Sequence, residues 1–117
     1  MAVYIDDMRR KHGRLIMCHM LADSDHELRK MADEIGVKQR WHQGDHFDIC
    51  SAKKSLAIRK GAIEITQRQA ASMRMRRRTT GVLGSPEDAL IWMKNHLAAL
   101  RRNRLQQMFS TSNRKTA

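Results

Sequence analysis

Six side chains in the first half of the sequence carry most of its capacity for chemistry: Asp6, Asp7, His19, Asp23, His46 and Asp48. Carboxylates and imidazoles suit a divalent metal such as Mg²⁺ or Mn²⁺, the choice depending on how many of each converge. Asp6, Asp7, Asp23 and Asp48 are the candidate metal ligands. A metal held there against a phosphodiester would activate water. His19 and His46 are the candidate catalytic groups, because imidazole exchanges protons near neutral pH. A plainer reading uses the same residues. An Asp pair after a strand makes a turn through bonds to the local backbone, His46 and Asp48 can pair with each other, and a histidine in an apolar strand is usually a satisfied core residue.

The elements that must position these groups follow from the apolar pattern. Residues 2–6 form a short β-prone run that stops at Asp6 and Asp7, and residues 9–13 read as a polar loop. Residues 14–21 contain Leu15, Ile16, Met17 and Cys18 in succession, which predicts a central strand covered on both faces. Strands are also expected at 38–42, carrying Trp41, at 46–50 and at 62–65, with Gln43, Gly44 and Asp45 as a turn. On the 46–50 strand Phe47 and Ile49 share one face, and His46, Asp48 and Cys50 share the other.

Ser24 and Glu27 make a capping box for a helix over 25–35, whose Leu28, Met31, Ala32 and Ile35 lie on one face and whose stop is Gly36. A second helix is expected over 52–60 with Ser51 as its cap, and a third begins at Thr66 and runs into the basic stretch. Ser85, Pro86, Glu87 and Asp88 start a last helix over 85–109. Its stripe of Trp92, Met93, Leu97 and Leu100 is expected to dock on the main domain. The organisation is an α/β core over 1–78, a linker at 79–84, a C-terminal amphipathic helix and a disordered tail at 110–117. The fold class is α/β or α+β, with a small mixed sheet.

Composition points to partners. Lys and Arg outnumber Asp and Glu by 23 to 12 in 117 residues, a formal charge of +11. That surplus favours polyanions, of which nucleic acid is the commonest, and an acidic protein fits the same charge. Arg68, Arg74, Arg76, Arg77 and Arg78, with Arg101, Arg102 and Arg104 further on, are the candidate nucleic-acid contacts, since guanidinium forks match phosphates. The last helix could instead pair with a second copy of the chain. Cys18 and Cys50 form no C-x-x-C pair, so the usual zinc and redox spacings are excluded. No apolar run approaches the ~20 residues that span a bilayer, no signal peptide is visible, and the cytoplasm of a bacterial cell or a phage-infected host is the expected location.

The sequence Val3-Tyr4-Ile5-Asp6-Asp7, then Gly13-Arg14 and Met17-Cys18-His19-Met20, resembles a family of bacterial and phage proteins of unknown function, DUF4031. Asp23, Glu27-Leu28, Met31-Ala32, Ile35-Gly36, Trp41, His46-Phe47-Asp48, Lys53 and Gly61-Ala62 continue the resemblance over about the first 65 residues. It implies a shared fold and no particular activity. Two function classes follow from the residues themselves: a nucleic-acid-binding accessory protein using the Arg-rich second half, and a metal-dependent phosphoesterase or nuclease using the acids and histidines of the first. An inhibitor or adaptor for an acidic protein is a third.

Overall fold

The longest apolar run becomes the strand around which the sheet is built. A computed structural model describes residues 2–116, with side chains through residue 110. Strand β1 (Val3–Asp6) is followed by β2 (Arg10–His12) and β3 (Leu15–Ala22). Then come helix α1 (Asp25–Glu34), a 3₁₀ turn (Gln39–Trp41), β4 (Phe47–Cys50), α2 (Ser51–Arg59), β5 (Ile63–Ile65), α3 (Gln67–Thr80) and α4 (Pro86–Thr116). Met17 faces both Arg10 and Cys50, and Met20 faces both Ile5 and Phe47. Strand β4 therefore occupies one edge of β3, while β1 and β2 share the other. β5 adds parallel to β1, with Tyr4 opposite Ile63. The class is α+β with a mixed five-stranded sheet.

Side-chain alternation gives the sheet two different faces. Ile5, Cys18, Met20, Phe47 and Ile49 point to one side, where Leu28, Met31 and Ala32 of α1, Ile35 just after it and Ala57 of α2 bury against them. Tyr4, Leu21 and Ile65 point to the other, against Ala70 and Met73 of α3, Leu83 and Ala89. His19, Asp6 and Asp48 have the parity of this second face, opposite the larger apolar core.

Local chemistry accounts for most boundaries. Ser24 Oγ accepts the Glu27 N–H at 3.2 Å. Thr66 and Gln69 complete a reciprocal capping box at the start of α3. Ser85 Oγ accepts the Asp88 N–H ahead of Pro86. Gly81, at φ +83°, closes α3 in the left-handed region.

Several elements differ from expectation. Residues 9–13 contain strand β2, whose three side chains are all exposed, so no apolar periodicity marks it. Residues 38–42 are not a strand: Gln39, Arg40 and Trp41 form the 3₁₀ turn, tied to α1 by Arg29 Nη1 donating to Gln39 Oε1 and by Gln39 Nε2 donating to Asp33 Oδ1. Ser51 lies inside α2 rather than capping it. α3 reaches Thr80, within the stretch read as a linker.

α4 continues to Thr116, past the end expected at Phe109; Ala117 lies outside the described residues. Trp92 and Met93 are half-buried, and Trp92 stacks on His96 at 4.6 Å. Leu97 and Leu100, expected to dock, are exposed, as are Leu105, Met108 and Phe109. No helix among the described residues is long and apolar enough to cross a membrane. Cys18 and Cys50 are both free; burial pushes the Cys18 thiol up to about 12.

Met73 is fully buried between α3 and the sheet. Met73→Ala is expected to cost about 2–5 kcal/mol in urea unfolding followed by circular dichroism. A loss within 0.5 kcal/mol of zero would mean that α3 contributes little to the folded domain.

Candidate metal centre

The site grows from a break in the β-ladder. Strand β1 ends at Asp6 and β2 starts at Arg10, two residues out of register along β3. The His19 N–H, opposite the break, finds no strand partner. Asp6 Oδ1 accepts it at 2.9 Å and accepts the Met8 N–H at 3.3 Å. Its other oxygen receives His19 Nδ1 at 2.8 Å. Asp6 is 1% exposed. Burial alone would raise its carboxyl, but the hydrogen bonds from the His19 ring, the His19 backbone and Met8, with the charge His19 can carry, outweigh it and hold the group below the usual carboxylate range.

β4 brings the other half. Its register sets Asp48 directly across from His19. His46, just before the strand, turns Nδ1 to Asp45 Oδ1 at 2.7 Å. The Asp45 carboxyl is raised by burial but lowered by more through the His46 hydrogen bond and through Arg74. The His19 and His46 rings meet edge to face, 4.8 Å between centroids. Their Nε2 atoms lie 3.7 and 3.4 Å from the same Asp48 oxygen. The donor atoms of His19, His46 and Asp48 all fall within 4.8 Å of one another.

The tautomers follow from the acceptors. Ionised Asp6 and Asp45 can only accept, so Nδ1 of each ring carries the hydrogen. A ring without a second proton turns its Nε2 lone pair toward Asp48. Three electron-rich atoms facing one another repel unless a proton or a cation sits among them. Imidazoles oriented through Nδ1 by carboxylates are the usual support of a histidine metal ligand. The set fits a divalent metal held by two imidazoles and one carboxylate, with coordination positions left for water or substrate.

The cluster opens on a cleft of about 270 Å³ lined by Met8, Arg10, His12, Met17, His19, Trp41, Gln43 and Asp48. Arg10 and His12 project from β2, so the strand without apolar pattern supplies the cleft's guanidinium and a further imidazole. Asp48 is half-buried and reachable from this cleft, while His46 is almost wholly enclosed.

Of the six residues singled out in sequence, His19, His46 and Asp48 converge, and Asp6 stands behind His19. Asp7 lies elsewhere, accepting the Gln67 N–H at 2.7 Å at the start of α3. Asp23 accepts the Ala2 N–H at 2.8 Å. Asp45 was hidden by its place after Gln43 and Gly44 in an evident turn; its neighbour His46 was the available signal. The arginines of α3 divide. Arg74 and Arg78 reach Asp45 at 3.3 and 3.6 Å. Arg77 donates to the Ala22 carbonyl at 3.0 Å, and Arg76 lies over Gly84. Arg68, Arg101, Arg102 and Arg104 are exposed.

The pattern of protein of unknown function DUF4031 matches residues 3–78. The chain belongs to this family. The match takes in every strand, α1, α2 and α3 through Arg78, further than the 65 residues on which the resemblance rested, so the DUF4031 region contains the whole histidine cluster and the Asp45–Arg74 contact. α4 lies beyond it. No curated protein and no solved structure matches the chain.

The depressed Asp6 carboxyl stabilises the fold above its ordinary pKa near 4, and that contribution is lost as pH falls through the lower folded value. Asp6→Asn is expected to destabilise the protein by about 1–3 kcal/mol at pH 7. The gap from wild type should close as pH drops below about 4. Urea unfolding across pH 3–7 measures it, and a gap independent of pH would remove the charged role of Asp6.

Proposed function

We propose that this DUF4031 protein is a metal-dependent phosphoesterase. The observation that carries the reading is the convergence of His19 Nε2, His46 Nε2 and Asp48 Oδ1, with both rings oriented from behind by Asp6 and Asp45. Two imidazoles and a carboxylate suit Mn²⁺ better than Mg²⁺, which favours an octahedral oxygen shell. A cation there would polarise a phosphoryl oxygen and lower the pKa of water. Arg10, on the wall of the same cleft, supplies a fork for the remaining phosphoryl oxygens. Water adds to phosphorus, the ester P–O bond breaks, and the leaving alkoxide takes a proton, so no co-reactant is needed.

Chelator-treated protein titrated with Mn²⁺ by calorimetry, with hydrolysis of bis-p-nitrophenyl phosphate and p-nitrophenyl phosphate followed in parallel, tests the reading. Wild type should bind about one Mn²⁺ and release nitrophenol from at least one ester. The folded double variant His19→Ala/His46→Ala should do neither. Asp45→Asn should keep the ligands but weaken metal about 10–100-fold, whereas Asp23→Asn should change nothing. Equal Mn²⁺ uptake by wild type and the double variant would end the proposal.

A second reading, polyanion binding, is favoured by a different observation. Arg101, Arg102 and Arg104 are exposed on α4 and make no ion pair among the described residues, unlike Arg74 and Arg78. Fluorescence anisotropy with labelled duplex DNA, from low to near-physiological salt, measures the contacts. Replacing all three by Ser should lower the salt slope by about 3. An unchanged slope would place any DNA contact elsewhere.

A further inference from the structure

A second cleft, of about 200 Å³, adjoins the first, and Met17, Trp41 and Asp48 line both. The two have different chemistry. The metal-facing cleft carries His19, Arg10 and His12. The second is walled by Leu15, Val37, Ile49 and the Trp41 ring, with Lys38, Arg40 and Lys53 as its cations. Leu15 is 47% exposed, so its presence there answers no need of the core. Lys38, Arg40 and Lys53 make no ion pair among the described residues. Small-molecule sites usually enclose ~300–1,000 Å³. Neither cleft reaches that range, and the two together do.

One ligand spanning both would place a phosphoester by the histidine cluster and a flat, largely apolar group against Trp41. The Arg40 guanidinium sits 5.7 Å over the same ring. An indole with a guanidinium beside it is a stacking platform for nucleobases. The platform is anchored: the 3₁₀ turn is bonded to α1 through Gln39, and His42 Nε2 shares a 3.1 Å hydrogen bond with Asp25. The Lys53 ammonium lies close over Gly36, where a Cβ would come within 3.2 Å of it, and supplies a donor for a base edge.

Resting on the metal-centre reading, we infer that the substrate is a nucleotide, its phosphate in the His19–Asp48 cleft and its base stacked on Trp41 in the adjoining one. The same chemistry is offered by a free mononucleotide and by the terminus of a nucleic-acid strand. Lipid phosphates fit less well, since the apolar cleft is short and ringed by cations.

The chain has two tryptophans, so a Trp92→Phe background isolates Trp41 fluorescence. Adenosine added in chelator tests the base seat without metal or phosphate, and AMP and ribose 5-phosphate added with Mn²⁺ test the whole site. Adenosine and AMP should quench Trp41, and AMP should bind about 10-fold or more tighter than ribose 5-phosphate. Lys53→Ala should weaken AMP several-fold and leave Mn²⁺ affinity unchanged. Trp41→Leu should abolish the preference for AMP over ribose 5-phosphate. A 5′-phosphorylated tetranucleotide binding more tightly than AMP would identify a strand end as the source, and the reverse a free nucleotide. Equal affinity for AMP and ribose 5-phosphate, with Mn²⁺ still bound, would overturn the nucleotide assignment and leave the metal centre standing. Loss of Mn²⁺ binding with adenosine quenching retained would overturn the metal centre and leave the base seat. Absence of adenosine quenching overturns the seat in either case.

Discussion

One buried carboxylate organises both the sheet and the site. Asp6 receives the backbone N–H of His19 where β1 and β2 fall out of register, and its second oxygen fixes the ring of the same residue. A ladder break would otherwise leave a polar group unpaired against the core, a cost of about 1–3 kcal/mol. The repair and the orientation of His19 are thus a single interaction. Because the ring is turned by a group that also closes the sheet, the position of Nε2 is fixed by backbone geometry rather than by a mobile side chain.

Asp45 plays the corresponding part on the other strand, with a wider reach. It orients His46 and receives Arg74 and Arg78 from α3. The basic run that gives the chain much of its charge is therefore partly consumed inside the domain. Arg77 caps the end of β3 at the Ala22 carbonyl. The remaining cations are spread over the surface, with Arg10 beside the first cleft, Lys38, Arg40 and Lys53 around the second, and Arg101, Arg102 and Arg104 exposed on α4.

Much of the architecture was legible because it obeys periodicity. The run in β3, the alternation of Phe47 and Ile49 in β4, the Leu28–Ile35 face of α1 and the Ser24, Thr66 and Ser85 caps all express one local rule each. The failures have physical causes. Arg10, Lys11 and His12 form an edge strand with no buried face, so nothing apolar announces it. Trp41 lent 38–42 a strand-like look, but it packs on the core from a 3₁₀ turn. His46 and Asp48 were visible as a pair because a strand places alternate residues together. The meeting of His19 with Asp48 depends on register between strands separated by α1, which composition does not encode. Asp7 and Asp23 have the right chemistry and the wrong address.

The parallel pairing of Tyr4 with Ile63 has a consequence for how the chain is assembled. The β2–β3 hairpin closes through a two-residue turn, and β3 meets β4 once residue 50 is available, so His19, His46 and Asp48 can gather in a fragment that lacks α3. β1 cannot fill its second edge until β5 exists, and the face bearing Tyr4 and Leu21 stays uncovered until α3 and the start of α4 arrive. Long-range pairing of this kind is slow and exposes apolar surface while it waits. During synthesis the face bearing Tyr4 and Leu21 is thus the last to leave water, and an emerging chain passes through an interval in which that apolar surface is bare.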